Sequence, residues 1–251
     1  MKDDSLILKV HGLAAGDFLR EQLTTDMDAL GRGQWTHAVY CTADNAVLAY
    51  LWVFPWVDGI LLRLPRSAAP AFLAHIEPRI AGRNVHFSAT NLCFGAITDG
   101  KPQPEPILYT AGGSIVLIGG VCGITPYIGE YHVAKTLSAE AWYAARIRAG
   151  IPEIYADTAE LFPAAILGFP KIGNSDIAAQ HRHLAVTTIR TFATGCRALY
   201  HKHNPAGVIL DYGWDKEGCI IQAVVEKRYL GKPLHTRDNS LPLTFRTVTE
   251  K

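Results

Sequence analysis

WTHAVYCTADNAVLAYLWVFPWVDGILLRL, residues 35–64, is the stretch whose reading settles the fold class. Trp35–Thr42 and Val47–Trp56 are rich in aromatic and β-branched side chains, which suit a pleated, half-buried strand. They flank Ala43-Asp44-Asn45-Ala46, a polar segment that reads as a hairpin turn. Asp58-Gly59 is a second turn signal and leads into a strand at Ile60–Leu64. Connections this short leave no room for a crossover helix, so the strands must run antiparallel. Upstream, Leu6–Val10 is a short β-type run ended by Gly12, and Leu13–Gln22 reads as a helix with Phe18, Leu19 and Leu23 on one apolar side. Downstream, Ser67–Ile80 carries helical spacing at Phe72, Ile76 and Ile80, with Pro70 tolerated only near the helix start. Strands linked as hairpins and flanked by helices predict an α+β fold, not a doubly wound parallel sheet.

The remainder is a second β-rich stretch, one strong helix and a β-type tail. Asn91–Ile97, Ile107–Thr110 and Ser114–Gly119 read as strands, and the proline-punctuated Lys101–Pro106 as a loop outside any sheet interior. Ala139–Ala149 is the best-specified helix: Ser138 caps it, Glu140 suits its positive end, and Gly150 with Pro152 stop it. From His181 onward the strands Gly207–Tyr212, Cys219–Val225 and Leu241–Val248 predict a small C-terminal barrel or sandwich. The expected division is an α+β subdomain over 1–85, a second over 86–172 and a β-barrel-like domain over 173–251.

Of the 251 residues, 49% are hydrophobic, enough for a substantial core, and 24 Lys and Arg nearly balance 23 Asp and Glu. That neutrality supplies no general attraction for nucleic acid or anionic lipid, and no long basic run is present. The apolar runs are shorter than a membrane span. The acidic start MKDDS does not resemble a signal peptide. Five scattered cysteines without paired spacing (Cys41, Cys93, Cys122, Cys196, Cys219) fit reduced thiols in a cytoplasmic protein.

Two His-x-His pairs, His181/His183 and His201/His203, could each direct two imidazoles to one side of a strand. A metal would need a third ligand such as Asp211 or His235, and solvated faces with incidental histidines are the plainer reading, so no metal site is expected. Gly119-Gly120-Val121-Cys122-Gly123 lacks dinucleotide-loop spacing and reads as a tight turn. Cys196, beside Arg197, is a lone thiol of the kind that is usually inert. No catalytic constellation emerges. The residue pattern that points to a ligand is Trp142 with Arg146 and Ala149 on one helix face, a flat stacking surface beside a planar donor. Its structural alternative is a core tryptophan with Arg146 reaching solvent.

Three collinear blocks resemble the YgfZ-type folate-binding proteins, which are related to the glycine-cleavage T-protein. They are Val10-His11-Gly12 through Gln22-Leu23-Thr24-Thr25-Asp26, then His37 through Asn45, then Trp142 through Arg146-Ile147-Arg148-Ala149-Gly150-Ile151-Pro152 with Phe162-Pro163 beyond. The likeness covers most of residues 5–170. It implies an aminomethyltransferase-type α+β folate-binding body with a small C-terminal β-barrel. It implies tetrahydrofolate or a related folate as ligand, a cytoplasmic accessory role in iron–sulfur protein maintenance and tRNA modification, and iron–sulfur client proteins as partners. Direct contact with nucleic acid or membrane is not expected. The implied ligand residues are Trp142, Arg146, Arg148, Gln22 and Asp26, with Tyr40 and Tyr50 as walls.

The chain departs from that pattern in informative places. The family's Lys-Gly-Cys-Tyr-x-Gly-Gln element would fall in Ile172–His183, with Ala179 at the cysteine. Arg148 stands where an acid helps hold the pterin, and Ser5 where the family has a tryptophan. The aspartate of aminomethyltransferases would fall at Ala49 or Tyr50, so that general acid–base carboxylate is missing. A binding protein is therefore the favoured reading. The alternatives are a folate-dependent aminomethyltransferase and a scaffold that has lost its ligand.

Overall fold

The computed structural model describes residues 4–25, 27–97, 104–110, 114–121, 124–133, 136–169, 182–192, 195–237 and 241–248. The chain divides into two compact units. One comprises Met1–Leu137 with Ile154–Ala164, the other Ser138–Glu153 with Ala165–Lys251.

The first unit is built on the hairpins expected from residues 35–64. Strands β1 (Ser5–His11), β2 (Thr36–Cys41), β3 (Val47–Trp56), β4 (Gly59–Pro65) and β5 (His86–Ala89) form an antiparallel sheet in the order β2-β3-β4-β1-β5. The β2–β3 turn closes through Asn45 N to Thr42 O at 3.0 Å, with Asn45 at φ +65°, a left-handed conformation that asparagine tolerates. Helix α1 (Ala15–Gln22) and helix α3 (Ala69–Ile80) cover one face of this sheet; the short α2 (Asp28–Gly31) lies between β1 and β2 in sequence. Phe18, Leu19, Phe72 and Ile76 pack there with Ala38, Tyr40, Ala49, Leu51 and Val53. Pro70 sits in the first turn of α3, where its missing N–H costs no helix bond.

A second antiparallel sheet in this unit has the order β6-β9-β8-β7, from β6 (Cys93–Ile97), β7 (Leu108–Thr110), β8 (Ile115–Ile118) and β9 (Thr125–Gly129). Of the turn expected over Gly119–Gly123, the described residues show a bend at Gly120, which has φ +77°; Cys122 and Gly123 lie outside the described residues. The buried strand β9 that follows it is not foreseen from the sequence, because Pro126 argues against a strand. Pairing with β8 stops at Tyr127, so the proline lies beyond the last β8 partner and opposes Ala96 of β6 instead.

In the second unit, helix α4 (Ala139–Arg148) starts where expected, with Ser138 Oγ accepting from Ala141 N at 3.2 Å. The β-rich tail supplies β10 (Arg182–Ile189), β11 (Ala198–His201), β12 (Asn204–Asp215), β13 (Gly218–Glu226) and β16 (Arg246–Thr247), ordered β11-β12-β13-β10-β16 and all antiparallel. A separate ribbon pairs β14 (Pro233–Leu234) with β15 (Leu243–Thr244). Among the described residues this order is open, with no pairing that closes a barrel. Leu199, Ile209, Ile221, Val225, Leu234 and Phe245 form the core on one side. On the other, Ala144 and Ile147 of α4 pack with Ile220. Gly213 makes that seat possible: a Cβ there would lie 2.3 Å from Ala144 N.

Candidate functional site

In β2 and β3 alternate side chains leave the helix-covered face. Tyr40 and Ala49 face α3, whereas Val39 pairs with Tyr50 and His37 with Trp52 on the opposite side. That side carries an aromatic cluster around a buried cation. Trp35 and Trp52 stack at 5.2 Å, and His37 meets Trp52 at 4.5 Å, Trp35 at 4.9 Å and Tyr50 at 5.2 Å. Arg63 of β4, fully buried, lies over the Phe94 ring at 4.7 Å. Tyr50 and Trp52 are buried, while His37 as a residue is half-buried.

Although His37 is half-buried as a residue, its Nδ1 is shut off from solvent and has no hydrogen-bond partner among the described residues. Burial, reinforced by the positive charge of Arg63, lowers the His37 pKa from 6.5 to about 3. The ring is therefore neutral at physiological pH and keeps one nitrogen able to accept a hydrogen bond.

The sequence-derived ligand residues divide between the two units. In the first, Tyr40 is buried against Phe72 and bonds His75 Nδ1 through its hydroxyl at 3.0 Å; burial raises its pKa, and Arg79 opposes the rise. Tyr50 lies on the other face of the same sheet, so the two tyrosines do not share a wall. Gln22 ends α1 and accepts from Arg79 at 3.0 Å. Asp26 lies outside the described residues.

In the second unit Trp142 is 2% exposed. Arg146 is fully buried; its guanidinium pairs with the Asp211 carboxylate and donates to Ile151 O at 2.7 Å. Arg148 points to the surface, where it bonds Asp215 at 2.7 Å and Glu217 at 3.0 Å. Burial pushes the Asp215 carboxyl up, but hydrogen bonds from Arg148 and the Glu217 backbone and the Arg148 charge outweigh it and leave the pKa lowered.

The remaining motifs are structural or lie elsewhere. Among the described residues no three His, Cys, Asp or Glu side chains gather as a metal site. His201 Nδ1 is 3.1 Å from Pro233 O, and Asp211 is held by Arg146. His181, Cys122 and Ala179 lie outside the described residues. Burial pushes the Cys41 thiol to about 11 and Cys219 to about 12, which makes both poor nucleophiles. No helix among the described residues is long and apolar enough to cross a membrane. The sequence reading passed over His37, Trp52 and Arg63; their signal was the alternation along β2, β3 and β4.

No protein-family model matches the chain, and no curated protein matches its sequence. Solved structures do match. The glycine cleavage system aminomethyltransferase T from Bartonella henselae superposes with a TM-score of 0.66 over 98% of this chain and 84% of that one, at 16% identity. The fold is that of an aminomethyltransferase T. At this identity the likeness concerns the backbone, and the aminomethyltransferase-type body expected from the three sequence blocks is present as a fold.

Proposed function

We propose that this protein is a tetrahydrofolate-binding accessory protein that acts in iron–sulfur protein maintenance and tRNA modification, and that it lacks transferase turnover. The observation that carries the reading is the aminomethyltransferase T fold spanning 98% of the chain. Under this reading the C-terminal strands correspond to the small barrel of the family, and Trp142 is the stacking residue for the pterin.

The positions that depart from the family supply no carboxylate. Ala49 and Tyr50 are buried and non-acidic, and Arg148 is engaged by Asp215 and Glu217. A pterin held without its acid loses one acceptor, which costs about 1–3 kcal/mol. Folate affinity is accordingly weaker than in relatives that keep the acid.

The test is a titration of the full chain with tetrahydrofolate, read by tryptophan fluorescence, for the parent and Trp142→Phe. Saturable quenching in the parent that weakens in the variant is expected; no saturable response at all would sink folate binding and leave the scaffold reading. The fold match also favours an aminomethyltransferase, and turnover of an aminomethyl donor in the presence of tetrahydrofolate would establish that reading over the accessory one.

A further inference from the structure

The motif His201-Lys202-His203 finds a role once the fold brings a distant segment beside it. Strands β11 and β12 are joined by Lys202 and His203, between paired His201 and Asn204. The segment His235-Thr236-Arg237 is bound to β11 by two backbone hydrogen bonds, Tyr200 N to His235 O at 2.8 Å and His235 N to Tyr200 O at 2.9 Å. His201 Nδ1, 3.1 Å from Pro233 O, adds a third tie. Between these segments lies a cavity of about 300 Å³, lined by Tyr200, Lys202, His203, His235, Thr236 and Arg237.

Its lining is one-sided in charge. Lys202 and Arg237 bring two cations, His203 and His235 bring imidazoles, and no carboxylate of the described residues lines the cavity. None of these four side chains makes an ion pair with another described residue. The Arg237 guanidinium rests over the Tyr200 ring at 5.8 Å, a contact made through the guanidinium face and not through its N–H edge. Lys202 adopts φ +57°, a left-handed conformation that costs a long side chain more than it costs glycine or asparagine. The turn tip thus carries a cation at a position where backbone preference favours a different residue.

We propose that this cavity binds the phosphate group of a small phosphorylated molecule. Two cations match a phosphate dianion, and a planar guanidinium with adjacent imidazole donors matches its oxygens. A concave cavity of this size suits a compact ligand; a polynucleotide is gripped along an extended surface. The proposal rests on residues of the second unit alone and stands independently of folate binding.

The experiment titrates the full-length ¹⁵N-labelled protein with sodium phosphate and with pyrophosphate at constant ionic strength, chloride serving as the balancing anion. Saturable amide shifts are expected in residues 200–203 and 235–237. Affinity should fall about tenfold in Lys202→Gln and again in Lys202→Gln/Arg237→Gln, and stay unchanged in Arg20→Gln, an exposed cation of the first unit. Both cleft cations are exposed, so their replacement leaves the sheet intact. Absence of saturation, equal affinity in the double variant, or binding of a single-stranded oligonucleotide without binding of either phosphate would each overturn the proposal.

Discussion

Acidification tests the environment of His37 directly. The unfolded ring takes up a proton near 6.5, but the folded ring resists protonation until about 3. Between those values the unfolded state binds more protons, so the contribution of His37 is fully present above 6.5 and is lost as pH falls. Going from pH 7 to pH 5 crosses about 1.5 units of that window, at about 1.4 kcal/mol per unit, or about 2 kcal/mol. Because His37 as a residue is only half-buried, this is an upper value. The assay compares urea unfolding of the parent and His37→Phe at both pH values. Phenylalanine keeps the ring contacts with Trp35 and Trp52 and cannot titrate. Carboxylates and other histidines affect both proteins alike, so the parent should lose up to about 2 kcal/mol more than the variant. A His37 ring-proton titration by NMR supplies the second readout. Parallel losses in the two proteins, or a ring midpoint near 6.5, would refute the reasoning.

The two arginines of α4 should behave oppositely. Arg146→Met leaves the Asp211 carboxylate buried without its cation and should cost about 3–5 kcal/mol in a denaturation midpoint, largely recovered in Arg146→Met/Asp211→Leu. Arg148→Ala, whose side chain is 38% exposed, should cost about 0–1 kcal/mol and less in high salt. Gly213→Ala should lower the thermal midpoint by the equivalent of about 1–3 kcal/mol, because its Cβ meets the α4 backbone. An unchanged midpoint there would show that the helix seat yields freely.

What could be read from the sequence was local. The hairpins of residues 35–64 and the Ser138 cap are specified by residues a few positions apart, so composition and spacing reveal them. The obscure parts depend on partners far along the chain. Arg146 shares a helix face with Trp142, which the sequence shows. That the guanidinium is buried against a carboxylate at position 211 follows only from packing α4 on β12. Tyr40 and Tyr50 illustrate the same limit within one hairpin. Each occupies a strand whose limits are nearly legible, yet their relative side depends on register, and the β2–β3 ladder shifts between Tyr40 and Cys41. One extra residue in a ladder reverses which face a side chain takes. A ligand wall assigned from aromatic residues in adjacent strands therefore needs the register before it has meaning. In this fold the register groups Tyr50 with His37 and Trp52, and gives Tyr40 to the helix-covered core.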